Sequence, residues 1–276
     1  MNSILICPKC ATSLHYHQDS QGFYCDNKHH IDKHAQGYWS FITSTKFKGA
    51  IESRQQLRSK RFLMASGLFE PLLDRLTSSF NQLTNGQLAV QHLNFSCTDG
   101  LYLRHLAENN NAEGLTHWGV SEAENSLFAA NKDNTPANLI LTPYKKLPFA
   151  DKSLDIVSLF DVALKGKECL RVLKDSGHLL MLVPGPRHLW QLKQKIYDNL
   201  VEKSLILNLP KDIEVVNSEA ITFTGDVTGE QAMTLLEMNN LAWRINDQLK
   251  HEIKSHSVSG LEFDYLLITA KLANLK

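Results

Sequence analysis

Cys7-Pro-Lys-Cys10 sets two thiols at the spacing of a metal knuckle, and Cys25 with His29 supplies a second pair after fourteen intervening residues. Three thiolates and an imidazole are the soft and borderline donors that structural zinc takes in a tetrahedral array. The intervening chain can return as a short hairpin, with Asp19-Ser-Gln-Gly22 as its turn. His30 competes with His29 for the fourth position, and His15, His17 and His34 are also near in sequence; His29 is preferred. The alternative is a set of buried free thiols. With four protein ligands no position remains for a reactive water, so the cluster reads as structural.

The elements that carry this cluster sit in a chain of 276 residues, enough for one main domain and a small appendage. Hydrophobic residues make up 43% and charged residues 21%, the composition of a globular chain with no disordered tract. The longest apolar run, Leu179 to Val183, is far too short to span a bilayer, and the first residues lack the features of an export signal. A cytoplasmic protein without membrane contact is the expectation. Five cysteines in such a compartment suggest metal binding before disulfides. The formal net charge is zero, yet residues 1–61 hold nine Lys or Arg against four Asp or Glu. A basic front end suits a segment that meets phosphates, with a solvated lysine-rich surface as the plain alternative.

From residue 89 the chain alternates strand-like and helix-like segments. Ala89–Phe95, Leu115–Val120, Asn138–Leu141, Leu154–Phe160 and Gly177–Val183 read as strands, with helices to Asn109, near Glu122–Asn131 and near Lys165–Leu173. This is a βαβ rhythm. Leu189, Leu192, Ile196 and Leu200 predict one long helix from Arg187. Val215–Phe223 and Leu261–Leu272 predict a closing strand pair, with a helix from Gly229 to Glu237 between them. Residues 50–80 read as helical with an interruption at Pro71, and Trp243 as core. The expected division is a zinc ribbon over 1–45, a helical linker over 46–85 and an α/β domain over 86–276.

Several segments carry a resemblance to a known family. They are the ribbon, Arg58-Ser-Lys-Arg-Phe62-Leu63 with Gly67 and Pro71, Leu147-Pro-Phe149 with Asp151 and Asp155, and Arg171-Val-Leu-Lys174. Pro184-Gly-Pro-Arg187-His188-Leu189 and Met238 through Ala242-Trp243-Arg244 complete the set. Together the chain resembles the bacterial large-subunit ribosomal RNA guanine-N1 methyltransferases over nearly its full length. The resemblance implies a class I, Rossmann-like sheet of seven strands flanked by helices, S-adenosylmethionine as methyl donor and ribosomal RNA as substrate. A homodimer is one candidate assembly.

The donor loop departs from the family pattern. Where class I enzymes end the first strand with an acid and follow it with three alternate glycines, this chain reads Asn94-Phe95-Ser96-Cys97-Thr98-Asp99-Gly100. Side chains at Ser96 and Thr98 would cost about 1–2 kcal/mol each if those positions are left-handed. The acid expected to bind the donor ribose is replaced by Ser121, with Glu122 next; Glu122 either substitutes for it or is a carboxylate at a helix start. Pro143 stands where relatives place an Asp near the adenine. Guanine N1 carries a proton at neutral pH, so transfer to it needs an acceptor, for which Asp161 and His188 are the candidates. Their plainer roles are a turn cap and a loop histidine bonded to backbone or phosphate.

For RNA the candidates are the ribbon, Tyr38-Trp39, Arg54, Arg58, Lys60 and Arg61, since rings stack on unpaired bases and cations follow phosphates. Tyr38 and Trp39 equally suit packing of the ribbon on the main domain. Two readings follow: an active donor-dependent rRNA methyltransferase, or a binding protein on the same scaffold whose donor site is lost.

Overall fold

A computed structural model describes residues 4–49, 53–164 and 166–273. Strands β1 (His15–His17), β2 (Gly22–Tyr24) and β3 (His30–Ile31) form a small antiparallel sheet in that order. Its first hairpin closes through Gln21 in the left-handed region, at φ 49°. The next strand, β4 (Trp39–Ser40), leaves the ribbon for the edge of the large sheet. Two helices follow. In α1 (Arg54–Met64) a Ser53/Gln56 capping box satisfies the first turn, and only Leu57 and Leu63 are buried. In α2 (Glu70–Thr84) Leu72, Leu73, Leu76 and Phe80 recur at helical spacing toward the core. Pro71 lies in the first turn of α2, where its missing N–H is harmless, so it opens this helix rather than interrupting one.

The main domain then runs β5 (Gln91–Phe95), α3 (Leu101–Glu108), β6 (Thr116–Ser121), α4 (Glu124–Lys132), β7 (Asn138–Leu141) and β8 (Leu154–Phe160). It continues with α5 (Glu168–Val172), β9 (Leu173–Pro184), α6 (Trp190–Ile196), β10 (Ile213–Val227), α7 (Gly229–Met238), a 3-10 turn (Ala242–Arg244), α8 (Asp247–Ser255) and β11 (Val258–Leu272). The predicted long helix stops at Ile196, leaving Leu200 outside it. Tyr197 turns to an extended conformation and Asp198-Asn199 form a turn, as residues whose side chains compete for backbone groups do.

The sheet order is β10-β11-β9-β8-β5-β6-β7-β4, so the expected seven strands become eight because the ribbon contributes β4. Only β11 runs against the others, pairing antiparallel with β9 and β10. The chain leaves β5 in one direction through β6 and β7 and returns to its other side at β8. A crevice therefore opens beyond the C-terminal ends of β5 and β8, the place where open parallel sheets bind ligands. Both faces of the central strands are covered, which explains their continuous apolar runs.

One apolar cluster joins α2, α6 and α7 to one face of the sheet. A second joins ribbon residues Leu5, Leu14, Phe23 and Trp39 to Leu93, Phe95 and Trp118 on strands β5 and β6. The ribbon is thus continuous with the main core. Its docking seam is the Leu-Pro-Phe segment: Ile6 N–H donates to the Pro148 carbonyl at 2.9 Å and Ala150 N–H to the Ile4 carbonyl at 2.8 Å. Arg171 braces the same segment by donating to the Phe149 and Leu147 carbonyls at 2.8 and 3.0 Å. Among the described residues no helix is long and apolar enough to cross a membrane.

Candidate functional site

The ribbon brings Cys7, Cys10, Cys25 and His29 together, with their donor atoms all within 4.8 Å of one another. Cys7 Sγ and Cys25 Sγ each lie 3.5 Å from His29 Nδ1, and Cys10 Sγ lies 3.7 Å from Cys25 Sγ. A tetrahedron with zinc–sulfur bonds of about 2.3 Å and a zinc–nitrogen bond of about 2.0–2.1 Å has edges of about 3.8 and 3.5 Å. The donor set fits that metal in type and spacing. Hydrogen bonds involving Thr12 and Asn27 hold the Cys10 thiol down at about 5, favouring the thiolate that ligation needs. His30 does not join the cluster; it pairs in β3, its ring beside Tyr24.

The crevice beyond β5 and β8 holds a cavity of about 420 Å3. Ser96, Thr98 and Tyr102 line it from the β5 side, Asp161 from the end of β8, Met238 from α7 and Tyr265 from β11. Ser96, Thr98 and Gly100 all have positive φ, 62°, 46° and 75°. The loop keeps the backbone path of a glycine loop, with two of its three left-handed positions held by residues that pay for the conformation. Gly100 is required for packing: a Cβ there would meet Thr135 Oγ1 at 2.5 Å. Arg104 pins the loop by donating to the Asp99 carbonyl and to Thr135 Oγ1 at 2.6 and 2.8 Å.

Asp161 also occupies the left-handed region, at φ 57°, and Tyr102 Oη donates to its carboxylate at 2.7 Å. The residue is exposed at the cavity mouth, with protein atoms crowding the inner side of the carboxyl. That crowding raises its pKa above the ordinary Asp value, against the opposing pull of the Tyr102 hydrogen bond and the Lys60 charge. His188, the other candidate proton acceptor, does not line the cavity. It is buried 4.4 Å from the Tyr265 ring, its Nδ1 accepting from Asp264 N–H at 3.4 Å, and burial depresses it to about 3.

On the β6 side the polar groups are engaged with one another. Ser121 Oγ accepts from Ala123 N–H at 3.0 Å, and the Glu122 carboxylate accepts from Tyr144 N–H at 2.8 Å. The half-buried Tyr144 phenol lies within hydrogen-bonding reach of Ser96 and Ser121, and its ring lies 4.5 Å from Phe95. The linker closes over this group: a Cβ on Gly49 would meet the Glu122 carbonyl at 2.1 Å. Asn94 points into the sheet, donating to Ser158 Oγ at 2.9 Å. The cavity leaves space beside Ser96 and Thr98, whereas the serine at 121 offers no carboxylate and one oxygen of Glu122 is held by the Tyr144 backbone. The donor group fits this arrangement only in part.

The RNA candidates separate. Tyr38 is 1% exposed and its hydroxyl donates to Glu124, so it docks the ribbon and has no free face for a base. Trp39 is buried in β4 beside it. Arg61 pairs with Asp133 at 2.5 Å and Lys60 lines the cavity, while Arg54 and Arg58 remain on the open face of α1. The sequence reading missed Tyr102 and Tyr265 beside Asp161, and Tyr144 beside Ser96, all of which are brought there by long-range contacts. It also placed Trp243 in the core, yet this side chain is 72% exposed.

Residues 93–181 match a family described as "Methyltransferase domain". A Bacillus subtilis (strain 168) protein described as "Putative 23S rRNA (guanine-N(1)-)-methyltransferase YxjB" is 22% identical over 274 residues, covering 96% of both chains. Among solved structures, a methyltransferase from Thiobacillus denitrificans in complex with S-adenosyl-L-homocysteine covers 81% of this chain and 100% of its own at 12% identity and TM-score 0.45. The [4+2]-cyclase SpnF covers 72% and 80% at 17% identity and TM-score 0.48. The domain match and the strand order support a class I methyltransferase fold and, with it, S-adenosylmethionine-dependent methyl transfer.

Proposed function

We propose that this protein methylates N1 of a guanine in large-subunit ribosomal RNA. The observation that carries the reading is the cavity at the β5/β8 switch point, where a Tyr102-held carboxylate, Asp161, lies across from the left-handed Ser96–Gly100 loop. The donor would supply an electrophilic methyl group. Asp161 would accept the N1 proton, its basicity raised by its surroundings, while Tyr102 fixes its orientation. His188, behind Tyr265, acts as a positioning residue. Arg54 and Arg58 meet phosphates. Cys7, Cys10, Cys25 and His29 hold one zinc ion that folds the ribbon. The full-length likeness to a relative described as a guanine-N1 enzyme supports the choice of acceptor.

The test is methyl transfer from S-adenosylmethionine to ribosomal RNA, read as N1-methylguanine after digestion. Asp161→Asn should lower the rate by about 10²–10⁴-fold with RNA affinity unchanged. A rate that survives this change would remove Asp161 from the chemistry. The mutual bonding of Tyr144, Ser96, Ser121 and Glu122 favours a second reading, an RNA-binding protein whose donor site is closed. Calorimetry with millimolar donor separates the two: absence of binding selects the second.

A further inference from the structure

Two elements that line the cavity each carry, outside its lining, an exposed aromatic ring next to an arginine. Helix α1 turns Lys60 and Met64 toward the cavity, and Arg54, Arg58 and Phe62, four residues apart, share another stripe. Phe62 is 64% exposed, and the Arg58 guanidinium lies 5.5 Å from its ring centroid. The chain after α7 lines the cavity with Asn239 and Asn240, then presents Trp243 at 72% exposure. The Arg244 guanidinium lies 4.3 Å from that indole. Among the described residues neither Arg58 nor Arg244 is paired with a carboxylate, and α1 has no acidic residue along its length.

What sets these two rings apart from the other exposed aromatics, Tyr16, Tyr24 and Phe128, is the guanidinium of a neighbouring arginine over each of them. An apolar protein partner would need a contiguous greasy patch, whereas these rings are isolated among cations. That combination suits nucleotides, with the ring stacking on a base and the guanidinium taking the adjoining phosphate. Bases in a duplex already stack on each other, so the partner must present them unpaired.

Resting on the RNA reading above, we propose that Phe62 with Arg58 and Trp243 with Arg244 are two stacking platforms for unpaired nucleotides flanking the one presented to the cavity. Both rings are solvent-exposed, so replacing them leaves the core untouched. The experiment uses the full chain, a fluorescein-labelled RNA hairpin with an unpaired loop, and a fully paired duplex of equal length. Phe62→Ala and Trp243→Ala should each weaken hairpin binding about tenfold or more, with duplex binding unchanged. Phe62→Tyr and Trp243→Phe should restore it, and hairpin binding should quench the Trp243 emission. Hairpin affinity that is unchanged in both alanine variants overturns the platforms while leaving RNA binding intact. A wild-type chain that binds neither RNA overturns the platforms and the RNA reading together.

Discussion

In the ribbon, four ligand side chains turn their donor atoms toward one point, whereas at the C-terminal ends of β6 and β7 the polar side chains turn toward each other. The first arrangement gathers three sulfurs and an imidazole nitrogen, the donor types that a borderline cation takes. The second engages Ser121, Glu122 and Tyr144 with one another and with nearby backbone. Convergence of metal-type donors marks a site suited to an ion; mutual hydrogen bonding marks one whose groups must be released before a ligand uses them. The same chain thus holds an intact metal-type cluster beside a cleft that is open only on its β8 side.

On the zinc reading proposed above, the strongest way to break this contrast is to remove that ion. Cys25→Ser, or a strong chelator, should abolish stoichiometric zinc by elemental analysis and unfold the ribbon, because structural zinc supplies about 10 kcal/mol or more of folding energy in such modules. Since Leu5, Phe23 and Trp39 share a core with the main sheet, limited proteolysis should then cut within residues 4–40. A ribbon that stays resistant after losing its metal would show that its apolar seam suffices.

A smaller effect comes from buried histidines under the cleft. His92 Nδ1 lies 2.7 Å from His117 Nδ1, so one ring donates and the other accepts, an arrangement that two protonated rings do not tolerate. Burial holds His117 down at about 4 and depresses His92 as well. Their unfolded value is 6.5, so the unfolded chain binds more protons between pH 6.5 and 4. Stability should be full above about pH 6.5 and fall as pH drops, with His117 alone contributing about 2–3 kcal/mol of loss by pH 4. Urea midpoints from pH 7 to 4 read this, and His117→Gln should make the fall shallower. A flat profile would refute the neutral pair.

The smallest expected effect sharpens the cleft side. A Ser96→Gly, Thr98→Gly double variant removes side chains from two left-handed positions at the cost of a looser unfolded chain. It should be more stable by about 1 kcal/mol and bind S-adenosylmethionine more tightly in calorimetry. Unchanged donor binding would locate the obstruction at Tyr144 and Glu122 instead.

Strands β7 and β8 were legible to the residue, because buried parallel strands are short continuous apolar runs and little else fits them. The length of α6 was not: its apolar stripe continues to Leu200, and only the turn at Asp198-Asn199 ends it. Leu147-Pro-Phe149 and Arg171 entered as segments of the family resemblance, and the structure gives them a joint mechanical task, bracing the ribbon's seam. Asp161 was legible as a strand-end acid, but its partner Tyr102 is 59 residues away and carried no signal.

Local spacing determined the Cys/His cluster, the βαβ rhythm and the Ser96–Gly100 loop, since each depends on neighbours along the chain. Tertiary structure alone decided that Tyr38 is buried and Trp243 exposed, that β4 joins the large sheet, and that Tyr144 meets Ser96 and Ser121. Those outcomes depend on which distant surfaces meet, and burial of one ring rather than another is settled by the whole packed assembly.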